Sequence, residues 1–204
     1  NSMIGTNSFY EDGGKTYGDF FLPASLGSGG GSADGIVGGK GGGAIIIEAE
    51  EKINIEGSLS ANGESVAVAR AGAGSGGSIL LTANEISGFG SVTANGGICL
   101  GGGGGGGRIA IYYNSLSLSS ENIQVFGGDG SNIFDGAAGT IFLKNKTQER
   151  GELIVKNNNL LSLTQTTIET DLILKGLEIG AGSRILFEGN NIDSNDVLIS
   201  SPSY

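Results

Sequence analysis

Any chemistry in this chain falls to carboxylates and hydroxyls, because histidine is absent and Cys99 is the single cysteine. The best candidate acids are Asp129 and Asp135 in "GGDGSNIFDG", with Glu121 upstream. Glycoside hydrolysis needs two carboxyl groups flanking a cleft, and Asp129 with Glu121 or Asp135 is the best pair on offer. Calcium also takes clustered oxygen donors. The loop lacks both the EF-hand spacing and the "GGxGxD" repeat, so it reads as a solvated acidic turn, and no metal or cofactor is expected. Glu48, Glu51, Glu56 and Glu64 give one end an acidic tone. Lys40, Lys144 and Arg150 have no pattern that supports lyase chemistry. Arg108 follows a run of seven glycines and reads as a cap for backbone carbonyls or a partner for a neighbouring acid. The chain is expected not to be an enzyme.

Two further positions invite modification or redox chemistry. Asn145-Lys146-Thr147 is an N-glycosylation acceptor triplet, placed where a strand should exit. A lone cysteine cannot form an intrachain disulfide, and Cys99 reads as a small buried hydrophobe.

Composition narrows the partners. The net charge is −10, from 11 basic and 21 acidic residues, with no basic cluster. That excludes the electrostatic footprint of a nucleic-acid binder. No apolar run is long enough to cross a bilayer as a helix, so membrane insertion is not expected. Glycine accounts for 41 of 204 residues without a strict period of three, which argues against collagen. Blocks of Ile, Leu and Val argue equally against a flexible Gly/Ser linker.

Those blocks recur. "AIIIEA" (44–49), "SILLTA" (78–83), "RIAIYY" (108–113) and "TIFLKN" (140–145) each follow glycines. They return at intervals of about 30–34 residues, a spacing that calls for stacked repeats. "INIEGSLSANGE", "ISGFGSVTANGG" and "NIQVFGGDG" form a second series. Short β-branched runs bounded by Gly and Asn read as strands, and glycine this dense is costly in a helix. Stacking would place Ile45, Ile79, Ile109 and Ile141 in one column. Ile47, Leu81, Ile111 and Leu143 would form the next. The residues between, Ile46, Leu80, Ala110 and Phe142, should face the other way, yet they too are apolar and need a cover. The glycine tracts, including Gly101, Gly104 and Gly107, are assigned that role as extended segments sheathing the outside. Asn62 and Asn95 hold equivalent turn positions before glycine, suited to left-handed turns or an amide ladder.

The expected fold is therefore all-β, a right-handed parallel β-helix or β-solenoid with its glycine-rich tracts packed outside. Residues 1–43 would form a partial turn and cap, with Phe20, Phe21 and Leu22 over the open end. Residues 44–147 would hold the repeats. Residues 148–204, where glycine tracts stop, would continue as shorter turns or a C-terminal cap.

"SGGSILLTANEISGFGSVTANGG", "GGGGGGGRIAIYY" and "GAAGTIFLK" together resemble the glycine-rich parallel β-helix repeats of large secreted and cell-surface proteins. The resemblance spans roughly residues 28–157 and brings no catalytic residues. It implies an extracellular, non-catalytic structural or adhesive module, serving as a rigid spacer or assembly surface in a larger cell-surface or filament protein. Its partners would be neighbouring domains and protein or self-assembly contacts. A carbohydrate-binding module is the alternative, resting on Tyr112, Tyr113, Phe126, Phe134 and Phe142, and a polysaccharide-acting β-helix enzyme is a further one. The glycine-rich ectodomain of certain receptor tyrosine kinases is similar only in its glycine runs.

Overall fold

The computed structural model describes residues 16–68, 70–131, 134–188 and 191–200, with the backbone of strands β1 (Ile4–Thr6) and β2 (Phe9–Glu11). Much of segment 1–15 lies outside the described residues. The four apolar blocks form β3 (Ala44–Glu48), β6 (Ser78–Thr82), β9 (Arg108–Tyr113) and β12 (Thr140–Asn145). They pair in parallel in that order, which makes Ile45, Ile79, Ile109 and Ile141 successive register partners. Ile47, Leu81, Ile111 and Leu143 are partners in the same way. Strands β4 (Lys52–Ile55), β7 (Glu85–Gly88) and β10 (Ser115–Leu116) make a three-stranded parallel sheet. Strands β5 (Ser58–Ser60), β8 (Ser91–Thr93) and β11 (Ile123–Gln124) make another. These sheets enclose a core in which Ile79, Leu81, Ile86, Val92, Ile109 and Ile111 are fully buried.

The expected single regular β-helix does not form. Among the described residues there are five separate sheets, of seven, three, three, two and two strands. The pairing is mixed: β13 (Gly151–Val155) runs antiparallel to β12, with Phe142 opposite Leu153. Connection length is the cause. Only residues 146–150 separate β12 from β13, and a link this short permits a hairpin, whereas a parallel return needs a crossover of about a dozen residues or more. Asn145 starts the reversal by accepting from the backbone N of Thr147 through Oδ1 (2.9 Å) and from the N of Gln148 through its carbonyl (3.0 Å). The sheet then continues through β15 (Leu172–Ile179) to β17 (Ile192–Ile199), in the order β17-β15-β13-β12-β9-β6-β3. A separate pair, β14 (Thr166–Ile168) with β16 (Ile185–Phe187), lies outside it.

This reversal also changes what covers the second apolar row. Leu80, Ala110 and Phe142 are buried in a second core with Leu153, Val155, Ile168, Leu172 and Leu174. Phe20 and Phe21 join it, the Phe21 ring standing edge-on to Phe142 at 4.8 Å and 88°. They lie on the sheet face rather than over an open end, and Leu22 is exposed. The middle strands β6, β9 and β12 thus carry buried apolar side chains on both faces, whereas the edge strands β3 and β17 stay largely exposed and Ile46 is left uncovered.

The middle glycine tracts are interior rather than an outer sheath, with residues 71–77 and Gly101, Gly104 and Gly107 buried, while the tracts at 27–31 and 38–43 remain partly exposed. Their backbone pairing has a period of three. From residue 72 to 77 the amides donate in turn to Gly31, Gly102, Glu64, Ser28, Gly105 and Ala61. Three neighbouring segments are therefore visited in rotation, as a polyproline II helix with three residues per turn requires. Only glycine allows the closest approaches: a Cβ on Gly104 would sit 1.9 Å from the Gly74 carbonyl oxygen.

Candidate ligand-binding cleft

Arg108, Ser78 and Thr140 begin adjacent strands and are direct register partners, so their side chains leave the same face of the sheet. The irregular segment 16–26 crosses above them. Arg108 donates from Nη1 to the Tyr17 carbonyl (2.6 Å), and from Nη2 to Ser78 Oγ (3.3 Å) and the Ser25 carbonyl (3.5 Å). Its guanidinium carbon lies 5.3 Å from the centre of the Tyr17 ring. Ser78 Oγ and Tyr112 Oη hold the same segment through the carbonyls of Ser25 (2.6 Å) and Phe21 (2.8 Å). Gly18, at φ 87°, lets the backbone come down on the guanidinium, where a Cβ would sit 3.2 Å from Arg108 Cζ.

Arg108 caps carbonyls, one of the two roles expected for it, and makes no ion pair among the described residues. Burial pushes its pKa below the ordinary guanidinium value, opposed by the Tyr17 phenol. The group stays charged, so an uncompensated cation is held in a partly dehydrated place, at a cost in free energy. Two polar atoms here are buried without a hydrogen-bond partner: Arg108 Nε and Thr140 Oγ1. Thr140 itself is only 5% exposed. Both residues line a cleft of about 310 Å³ between segment 16–21 and residues 166–170. Phe20, Ala138 and Ile168 give it an apolar wall, and Asp19 and Glu169 stand on its rim.

The sequence-selected acids do not converge on this cleft. Asp135 is buried and accepts from the Gly130 amide at 2.8 Å. Burial raises its carboxyl pKa against that hydrogen bond, and neighbouring Asp129 raises it further. Glu121 lies elsewhere, on a single 3₁₀ turn (Ser120–Asn122). No group of three or more metal-ligating side chains occurs among the described residues. Asn62 Oδ1 accepts from the Asn95 amide (2.7 Å) and Asn95 Oδ1 from the Phe126 amide (2.8 Å). Each side chain thus braces the next segment's backbone, and neither residue is left-handed. Asn145 Nδ2 is engaged by the Asn114 carbonyl at 3.1 Å, while its Oδ1 accepts from Thr147 Oγ1 at 2.7 Å. Cys99 is a buried free thiol against the Ala71 carbonyl.

Sequence reasoning missed Thr140 and Asn157, and set Phe20 and Phe21 of segment 16–26 over an open end rather than against Phe142. The Asn157 amide is fully buried, accepting from the Gly127 amide (2.8 Å) and donating to the Gly136 carbonyl (3.0 Å). It stands where another glycine segment would otherwise pair. Nothing in the local pattern "VKNNNL" distinguishes it from its neighbours.

No family model, curated protein or solved structure matches the chain. The resemblance to glycine-rich β-helix repeats of cell-surface proteins therefore fails on both counts, since the mixed topology does not match it either. The extended-spacer role drawn from it falls with it. A spacer or adhesive module needs a repeat that extends, and here the β12–β13 hairpin ends it. The sugar-binding alternative required exposed coplanar rings. Phe142 is instead buried, and Tyr112 meets it edge-on at 61°.

Proposed function

We propose that this protein binds a small carboxylate-bearing ligand in the cleft beneath segment 16–26, with Arg108 as the anchoring cation. One observation carries the reading: an un-neutralised guanidinium and an unpaired hydroxyl, on register partners of adjacent strands, both line a cavity of about 310 Å³. A carboxylate oxygen accepts from both and supplies the missing charge, and charge-assisted hydrogen bonds of this kind are among the stronger polar contacts. Both atoms are screened from solvent, so contact with them requires segment 16–26 to shift.

Titration with acetate and butyrate, followed by thermal shift and by amide chemical shifts of residues 16–26, tests the proposal. Saturable binding is expected. It should weaken about tenfold or more in Arg108→Gln, the loss expected for a hydrogen bond to a charged group. Thr140→Val retains the shape of the side chain and should weaken binding less, so it serves if the arginine variant does not fold. Absence of saturable binding by any carboxylate, amino acids included, or binding that neither variant weakens, overturns the proposal.

A further inference from the structure

Resting on that reading, we infer that the ligand is a zwitterion, an amino acid whose carboxylate seats on Arg108 and whose ammonium is held by Asp19 and Glu169. The two acids line the same cleft as the guanidinium. Among the described residues neither makes an ion pair, although five such pairs occur elsewhere in the molecule. Asp19 is fixed in place by its own turn, Oδ1 accepting from the Phe21 amide at 2.7 Å. The cleft therefore presents one half-buried cation, an apolar wall of Phe20, Ala138 and Ile168, and two exposed acids without an ion-pair partner.

This arrangement discriminates by charge. A phosphate or sulfate would bring two or more negative charges past Asp19 and Glu169 with one guanidinium to receive them. A plain carboxylate meets the same repulsion in milder form. The whole chain carries −10, so its long-range field opposes every net anion. A zwitterion has no net charge to be repelled, and its ammonium converts the rim from an obstacle into a partner.

Calorimetric titration compares glycine, β-alanine and γ-aminobutyrate with acetate, propionate and butyrate, which have the same carbon counts. At least one amino acid should bind about fivefold tighter than its plain acid, the scale of an exposed ion pair. The ratio of the two affinities should fall toward one in Asp19→Asn and Glu169→Gln. Asparagine keeps the acceptor that holds the Phe21 turn, so the Asp19 variant tests charge rather than folding. Plain acids that bind as well as every amino acid overturn the zwitterion inference and leave the carboxylate site standing. If neither series binds, both fall.

Discussion

One methyl carbon at Gly104 separates a packed glycine tract from a loose one. An added side chain there would meet the Gly74 carbonyl with nowhere to go, because the neighbour is backbone. Gly104→Val should cost more than about 3 kcal/mol, at or beyond the usual range for overpacking. Gly43→Ala, where a Cβ meets nothing within 4 Å, should stay within about 0.5 kcal/mol, as at an ordinary surface site. Urea denaturation of both variants checks the contrast. At Asp135 the effect is one of pH. Its carboxyl pKa is raised in the folded protein by burial and by Asp129, so the folded state holds the proton more tightly than the unfolded chain. Its contribution to stability is complete below the ordinary carboxylate range and is lost as pH rises through the raised value. Asp135→Asn should flatten that part of the stability–pH curve. Glu85 has the opposite sign: its pKa is lowered by Lys52, and its contribution fades on acidification. These residues were unequally visible in the sequence. The glycine run announced close packing, and Asp135 stood out by composition. Thr140 and Asn157 are ordinary polar residues made important by partners about 30 residues away, and no local signal marks that.

The strands themselves were legible, since β-branched blocks between glycines leave few other conformations. Their register was legible as well, because shifting one by a single residue would turn Ile45 and Ile47 away from their neighbours' apolar column. The direction of β13 was not. "GELIVKN" reads equally well as a strand of either polarity, and it is the short link through residues 146–150 that decides. Segment 16–26 was misplaced for a related reason. Its phenylalanines announce burial but not against what, and their partner Phe142 lies some 120 residues on. Phe142 joins three elements: β12, β13 through Leu153, and the segment over the cleft through Phe21. Phe142→Ala should therefore cost about 3–5 kcal/mol. It should also release segment 16–26 early, seen as faster amide exchange there than in β9.

At the scale of the molecule, an apolar layer lies on each face of one seven-stranded sheet, and the glycine tracts adjoin its strand starts. The sequence exposed the first layer through its columns. It hid the second, because the residues covering Leu80, Ala110 and Phe142 come from segments with no repeat relation to them. The rotating amide partners of residues 72–77 have a consequence for how such a chain can change length. One extra glycine would turn every later donor by a third of a revolution, away from the carbonyl it serves, while three would restore the phase. Insertions and deletions in these tracts should accordingly be tolerated in threes, as in a reading frame written in the backbone.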